Sequence, residues 1–394
     1  MSLKLVNHNA DLRRLVERGY AVAFDNGYLI VRDIPYLDAN RTVHIGAIVT
    51  KLKAIDANRM EQEDHQIFFA GGVPHNIDGM PIRNLGGGAT TLALSERSRD
   101  VVVERSFSNK PKETGRFADF FEKIESYVAI ISGPAMHLHA VDPYTGRAML
   151  DTDEPTVFKF HDTLTSRAEI GDLAAKFKDD VVAIIGLGGT GSYVLDFLTK
   201  TPVREVRGFD GDSFVVHNAY RSPGRLVEAE FGRQKADVYR DRYENFRYGL
   251  NIINKYIDST STDDLKDVTF AFVCVDKGSS RASIFDVLFA LRIPFIDVGL
   301  GLKRKHGPLN GMLRATYFSS ERGEQVGAMG LAELNDPADD LYRTNVQIGE
   351  LNALNACLAV VRYKQMRGFY QETPSIYHLL FEVGDLSLIS DRMQ

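Results

Sequence analysis

The 394-residue sequence predicts an α/β protein, with a doubly wound, mainly parallel sheet preceded by a separate mixed α+β domain. Apolar runs that alternate with helical stretches predict the sheet; they lie at residues 181–185, 205–209, 268–275 and 294–298. Glycines directly after the first run, followed by a helical stretch at residues 193–200, are typical of the first strand–helix unit of such a sheet.

The N-terminal part carries the patterns of a mixed domain. In chain order they predict a helix at 11–17, a hairpin at 22–31 that turns at Asn26-Gly27, strands at 42–52 and 65–69, and a helix near 116–127. The polar stretch 142–154 is the predicted linker. We therefore divide the chain into two domains, residues 1–155 and 156–394. The pattern at 375–389 predicts two short strands at the end of the second domain.

The glycine cluster predicts a nucleotide site. Its glycines are Gly186, Gly188, Gly189 and Gly191, in a G-x-G-x-x-G pattern between a strand and a helix. Asp210 follows the next strand about 20 residues on, at the position of a ribose-binding acid in Rossmann-like sheets. An unliganded strand–turn–helix explains the glycines alone, so the context carries the prediction.

Later polar residues favour a triphosphate over a dinucleotide used for hydride transfer. A dehydrogenase needs one acid for the ribose, whereas a triphosphate needs several donors and cations. The sequence offers such a set: Asp212, Asn218, Arg221, Lys235 and, after the run 268–275, Asp276. Taken singly, Arg221 and Lys235 are also explained as solvated helix charges, and Asp276 as the cap of a helix near 282–291.

Together these residues resemble the ThiF/MoeB family, which includes the catalytic cores of ubiquitin-activating enzymes. The matching stretches are the glycine loop from Gly186 to Ser192, Asp210-Gly-Asp212, His217-Asn218-Ala-Tyr-Arg221, Gly232-Arg-Gln-Lys235-Ala236 and Asp276. The resemblance extends from about residue 162 to the C-terminus. It implies an ATP-dependent adenylating site in a Rossmann-like sheet.

The resemblance also implies a role for each residue. Asp210 is expected to bind the ribose, Asn218, Arg221 and Lys235 the phosphates, and Asp276 magnesium (Mg2+). The glycines, Ser192 and Asp212 complete the expected ATP-binding set, and Arg221, Lys235 and Asp276 are the expected catalytic residues. Arg167 is a fourth, since an arginine in this region of the family reaches a neighbouring subunit, which implies a homodimer. A plain surface charge explains Arg167 equally well.

Cysteine placement bears on any later thioester step. Cys274 and Cys357 form neither a disulfide framework nor paired zinc ligands, and the segment 303–345, where relatives carry a catalytic cysteine, has none. Apolar neighbours predict core positions for Cys274 and Cys357. Either the adenylate passes to a separate partner, or Cys357 is more accessible than its neighbours indicate. His137, His139 and Asp142 could form a metal site, but we favour the interpretation that they are polar positions at the end of a strand.

Composition excludes other partners. The chain has a net charge of −6 and no basic stripe for nucleic acid, and no apolar run reaches the roughly 18 residues of a membrane helix.

We expect a cytoplasmic protein that adenylates the C-terminal carboxylate of a ubiquitin-like or sulfur-carrier protein. A conjugating enzyme is a further expected partner, and the N-terminal domain is expected to recognise substrate or partner. The alternatives are an NAD-dependent oxidoreductase and a non-catalytic ThiF-like scaffold.

Overall fold

The computed structural model groups the chain into two compact units, residues 1–171 and 172–394. It describes residues 2–56, 59–95, 98–147, 156–160, 162, 164–165, 168, 170–304, 306–336, 346–372 and 375–392. The division lies later in the chain than the boundary predicted at 155. Because residues 148–155 lie outside the described residues, the predicted linker stays a prediction.

The first unit is a mixed α+β unit, as predicted. Its helices are α1 (Ser2–His8), α2 (Ala10–Arg18) and α3 (Phe120–Leu138). Its strands are β1 (Ala21–Asp25), β2 (Tyr28–Leu37), β3 (Val43–Ala54), β4 (Met60–Gln62), β5 (Ile67–Ala70), β6 (Gly88–Ala89) and β7 (Arg105–Phe107). The strands pair in the order β1-β2-β3-β5-β7-β6, with β4 on β3, and all these pairs are antiparallel.

Local sequence explains the hairpin and corrects one helix. Asn26 and Gly27 have φ of 47° and 81°, the left-handed pair that a tight hairpin between β1 and β2 requires. The helix predicted near 116–127 is wrong at both ends. It begins after Asp119, which accepts a hydrogen bond from Glu122 N, and it continues to Leu138. His137 therefore lies in a helix, and not at the end of a strand.

The second unit contains the predicted sheet. Its strands are β8 (Val181–Ile185), β9 (Glu205–Phe209), β10 (Leu250–Ile253), β11 (Phe270–Val273), β12 (Phe295–Lys303), β13 (Asn310–Phe318), β14 (Ile376–Glu382) and β15 (Ser387–Arg392). They pair in the order β10-β9-β8-β11-β12-β13-β14-β15. The pairs from β10 to β12 are parallel and those from β12 to β15 antiparallel, so the predicted mainly parallel sheet is confirmed.

Helices cover both faces of this sheet. They are α4 (Gly171–Ala174), at the division between the units, α5 (Gly189–Thr199), α6 (Val216–Ala219), α7 (Lys235–Tyr243), α8 (Gly278–Ala290), α9 (Gly323–Ala328) and α10 (Gly349–Met366). Val182 and Ile184 of β8 belong to the core under α5, α7 and α10, whereas the alternate residues of β8 belong to the core under α8. Burial on both faces explains why β8 is an unbroken apolar run.

No helix in the described part of the chain has the length and apolar character needed to cross a membrane.

Candidate functional site

A cleft of about 900 Å³ opens in the second unit at the carboxyl ends of β8, β9 and β11. Ligands of doubly wound sheets bind at this edge, where loops from neighbouring strands meet. The lining includes eight of the predicted site residues: Gly186, Gly188, Gly189, Asp210, Asp212, Arg221, Lys235 and Asp276. The structure therefore brings together residues that are up to 90 positions apart in the sequence, between Gly186 and Asp276.

Close backbone contacts require glycine in the loop between β8 and α5. Gly186 has φ of 93°, and a Cβ there would lie 2.8 Å from the carbonyl oxygen of Cys274. A Cβ at Gly191 would overlap the carbonyl oxygen of Gly186. At Gly188, the residue before α5, a Cβ would meet no atom within 4 Å. The loop is therefore tight at Gly186 and Gly191 but open to the cleft at Gly188.

Asp210 connects the glycine loop to the acidic turn after β9. Its carboxylate is buried and accepts hydrogen bonds from Leu187 N at 2.7 Å and from Asp212 N at 2.9 Å. Lys235 Nζ lies 3.3 and 3.4 Å from the two carboxylate oxygens. Asp210 thus fixes the loop as well as lying in the cleft, a structural role that the sequence did not indicate.

Lys235, at the start of α7, bridges the two acids of the turn. Its side chain is 7% exposed, so the alternative of a solvated helix charge is wrong. Its Nζ lies 2.7 Å from Asp212 Oδ2, and Tyr256 donates a hydrogen bond of 2.5 Å to Asp212 Oδ1. Burial opposes ionisation of Asp212, but the hydrogen bonds from Lys235 and Tyr256 outweigh it and hold the pKa of Asp212 below its usual value.

Arg221 and Asp276 supply opposite charges to the same cleft. Burial lowers the pKa of Arg221, and the charge of Asp276 acts in the opposite direction. The Nε of Arg221 is buried and has no hydrogen-bond partner among the described residues. Asp276 is exposed after β11, and Lys277 takes the N-cap position of α8, so the cap explanation of Asp276 is wrong. Two groups able to bind a ligand therefore line the cleft.

Comparison with protein families identifies the part of the chain that supplies most of the cleft lining. Residues 165–328 match the model described as the ThiF family. These residues are a ThiF family domain. The resemblance drawn from the motifs is thereby confirmed, and the ThiF domain contains every predicted site residue. Residues 10–163 match a model described as "Domain of unknown function (DUF6791)".

Individual relatives are distant. The chain is 25% identical to the tRNA threonylcarbamoyladenosine dehydratase of Haemophilus influenzae over 132 residues, which cover 32% of this chain and 50% of that protein. The chain thus spans about half the length of this curated relative. Among solved structures, PaaA has a TM-score of 0.45 at 15% identity, covering 58% of this chain and 70% of that one. E. coli MccB with ATP has a TM-score of 0.43 at 16% identity, covering 56% and 66%.

Three predicted residues of the ThiF domain lie apart from the cleft lining. Ser192 is fully buried and donates a hydrogen bond of 2.8 Å to the carbonyl oxygen of Gly189. Asn218 is buried, and its Oδ1 accepts a hydrogen bond of 2.8 Å from Val215 N, which caps α6. Gly191 acts through its contact with the loop. Arg167 lies outside the described residues, so its role in a homodimer stays a prediction.

Sequence reasoning missed a buried charge cluster in the ThiF domain. Arg281 Nε lies 2.9 Å and Arg314 Nη2 2.5 Å from separate oxygens of Asp297, which is fully buried. Both arginines line the cleft. The three residues lie on α8, β12 and β13 and share no motif. The available signal was one acidic residue inside the apolar run 294–298.

Two amides of α10 were also missed. Asn352 lines the cleft and accepts a hydrogen bond of 3.0 Å from Thr190 Oγ1, and Asn355 donates one of 3.0 Å to the carbonyl oxygen of Gly299. Both side chains are buried. They connect α10 to the glycine loop and to β12.

The cysteines differ from the prediction. Cys357 is exposed, so its predicted core position is wrong: the buried face of α10 includes Asn352, Asn355, Ala356 and Ala359. Cys274 is partly buried and lines the cleft, and burial raises the pKa of its thiol. Among the described residues, no group of three or more His, Cys, Asp or Glu side chains is arranged to hold a metal ion, so His137, His139 and Asp142 do not form one.

Proposed function

We propose that this chain is an ATP-dependent adenylyltransferase that activates the C-terminal carboxylate of a ubiquitin-like or sulfur-carrier protein. One observation carries the proposal: the half-buried Arg221, whose Nε has no partner among the described residues, lines the same cleft as Lys235 and the open Gly188. Buried cationic groups are normally paired, so a cleft that holds such a group is suited to an anionic ligand. A phosphate chain is the anion that a glycine loop at a helix N-terminus admits.

The proposed roles follow from position. The phosphates lie over Gly188, with Arg221 and Lys235 as their cationic partners, and the ribose lies at the Asp210–Asp212 turn. Asp276 fits magnesium, because its exposed carboxylate makes no hydrogen bond among the described residues and a hard cation prefers oxygen ligands. Bound there, the ion neutralises phosphate charge.

The reaction needs no general base. A carboxylate oxygen of the substrate attacks the α-phosphorus, a new C–O–P linkage forms, and the bond to the β-phosphate oxygen breaks. Pyrophosphate leaves with the electron pair, and no proton moves. Arg221 and Lys235 stabilise the charge that develops on pyrophosphate, so catalysis depends on positioning and electrostatics.

The proposal also includes the role of the first unit, the oligomeric state and the location of the protein. The first unit recognises the protein substrate or a conjugating enzyme, two copies of the chain form a homodimer through Arg167, and the protein acts in the cytoplasm. Exposed Cys357 leaves a thioester step open to test, whereas Cys274 is less accessible; burial raises the pKa of both thiols.

Thermal unfolding with ligands tests the proposal. Magnesium-ATP at one hundred times its dissociation constant stabilises a native protein by about 2.7 kcal/mol, and Arg221→Gln should lose most of this gain. Arg225→Gln is the matched control, because Arg225 makes the same charge change while exposed and outside the cleft lining. Stabilisation by NAD alone would indicate a redox enzyme, and a response to neither nucleotide would indicate a scaffold.

A further inference from the structure

The charge cluster of Arg281, Asp297 and Arg314 carries an uncompensated positive charge. Asp297 contacts both guanidinium groups, and neither arginine has a second carboxylate partner among the described residues. The side chains of Arg281 and Arg314 are 5% and 15% exposed. Two buried cations that share one anion leave a surplus of one unit charge, which is stable only when an anion or solvent balances it.

The remaining hydrogen bonds show which arginine has capacity for a ligand. Arg281 donates to the carbonyl oxygens of Glu333 and Val275 at 2.7 and 2.6 Å, in addition to Asp297, so each of its three nitrogens has a partner. Arg314 donates to Asp297 and, at 3.1 Å, to Thr316 Oγ1. A guanidinium group has five N–H donors, and two hydrogen bonds to described residues leave donors on Arg314 for a further acceptor.

The surroundings of Arg314 define the ligand that fits. A Cβ at Gly299 would lie 3.0 Å from Arg314 Nη2, so the guanidinium lies close against a backbone without a side chain. Leu300, Met312 and Leu380 line the same cleft and supply apolar surface. This combination suits a carboxylate at the end of a chain with small or apolar residues.

Position in the sheet places this group away from the proposed phosphate site. The glycine loop follows β8 and the acidic turn follows β9, whereas Arg314 lies on β13, beyond β11 and β12 in the strand order. Asp276, which follows β11, comes between the two in this order. Resting on the proposed function, this order puts the acyl substrate on the β13 side of the nucleotide, so that its carboxylate lies between Arg314 and the α-phosphate.

We propose that Arg314, oriented by Asp297 and Thr316, binds the carboxylate of the acyl substrate and thereby selects substrates that end in a free carboxyl group. Arg281 is the structural partner of Asp297. Without Arg314, Arg281 and Asp297 remain a neutral buried pair, so the fold does not require the second arginine for charge balance. Arg314 thus acts on substrate binding, separately from the nucleotide contacts of Arg221 and Lys235.

The experiment compares two peptide probes, acetyl-Gly-Gly with a free carboxylate and the same peptide as its C-terminal amide. Calorimetric titrations into the full chain, with and without a magnesium–ATP analogue that has a methylene bridge between the α- and β-phosphates, give both dissociation constants. We expect the free acid to bind about tenfold tighter than the amide or better, as loss of a charged hydrogen bond implies. Arg314→Gln should abolish this preference and leave nucleotide affinity within about twofold.

Arg304→Gln is the matched control, because Arg304 is exposed, lies outside the cleft lining and makes the same charge change. Gly299→Ala is a second variant, in which the guanidinium is displaced without loss of charge; it should also weaken the preference. The inference is overturned if Arg314→Gln keeps the preference for the free acid, or if the unaltered protein shows none. Binding of the free-acid peptide without any nucleotide binding would refute the adenylation and retain the carboxylate site.

Discussion

The stability of the first unit should rise with pH because of one buried lysine. Lys123 of α3 is fully buried, and its Nζ donates hydrogen bonds of 2.7 Å to Thr50 Oγ1 and to the carbonyl oxygen of Asp64. The Asp64 carboxylate lies 3.8 Å away. Burial lowers the pKa of Lys123 from 10.5 to about 8, although the charges of Asp64 and Glu63 oppose the shift.

The sign and size follow from proton linkage. Between pH 8 and 10.5 the unfolded chain binds the proton that folded Lys123 has lost, so the free energy of unfolding increases with pH in that window. Below pH 8 both states are protonated, and the full burial cost of about 3 kcal/mol is present. From pH 7 to pH 10 the folded unit recovers about 2–3 kcal/mol of this cost.

Urea unfolding followed by circular dichroism at pH 7 and pH 10 measures this gain. Other groups titrate in the same range, so the quantity to compare is the stability difference between the unaltered protein and Lys123→Met. That difference should move in favour of the unaltered protein by about 2–3 kcal/mol. Lys112→Met, at an exposed position, is the control and should show no such change. A difference for Lys123→Met that is the same at both pH values would refute the reasoning.

Three further experiments test the second unit. Gly191→Ala should destabilise the fold by about 1–3 kcal/mol, because the added Cβ overlaps the Gly186 carbonyl oxygen. Gly188→Ala should leave the melting temperature of the free protein unchanged but remove its stabilisation by magnesium-ATP. Equal effects of the two substitutions would contradict the loop geometry. Lys235→Met should cost about 3 kcal/mol in thermal unfolding without nucleotide, since buried Asp210 loses its cation. The loss should shrink as the pH falls through the pKa of Asp212, which Lys235 holds below its usual value. In the folded protein a maleimide should label Cys357 rapidly and Cys274 slowly, because Cys357 is exposed and Cys274 is partly buried, although burial raises the pKa of both thiols. Cys357→Ser would remove the fast phase, and a persistent fast phase would show that Cys274 is reactive.

Local patterns predicted much of the sheet and part of the cleft. The run at 181–185 is apolar throughout because β8 is buried on both faces, and the acidic residues Asp210 and Asp276 come where strands end. Parallel strands bring their carboxyl ends to one edge, so residue order alone placed these side chains together. The hairpin was equally local, since Asn26-Gly27 has a backbone preference that fixes the turn.

The sequence-based predictions failed at positions where tertiary contacts, and not local sequence, determine the structure. Gly133-Pro134 follows the helix predicted near 116–127, yet α3 continues through Pro134 to Leu138. On α10, apolar periodicity placed Cys357 in the core, but the buried positions belong to Asn352 and Asn355, because Thr190 and Gly299 provide their hydrogen bonds. The Arg281–Asp297–Arg314 cluster spans three elements, and no local pattern predicts such a pairing.

The contacts of Asp210 also affect how binding is divided between enthalpy and entropy. Leu187 N, Asp212 N and Lys235 Nζ converge on this one carboxylate, so the glycine loop and the acidic turn are held together before any ligand arrives. The conformational entropy of ordering the loop is therefore lost when the chain folds. A nucleotide then enters a cleft whose backbone is already arranged, and its affinity depends mainly on the contacts it makes and the water it displaces.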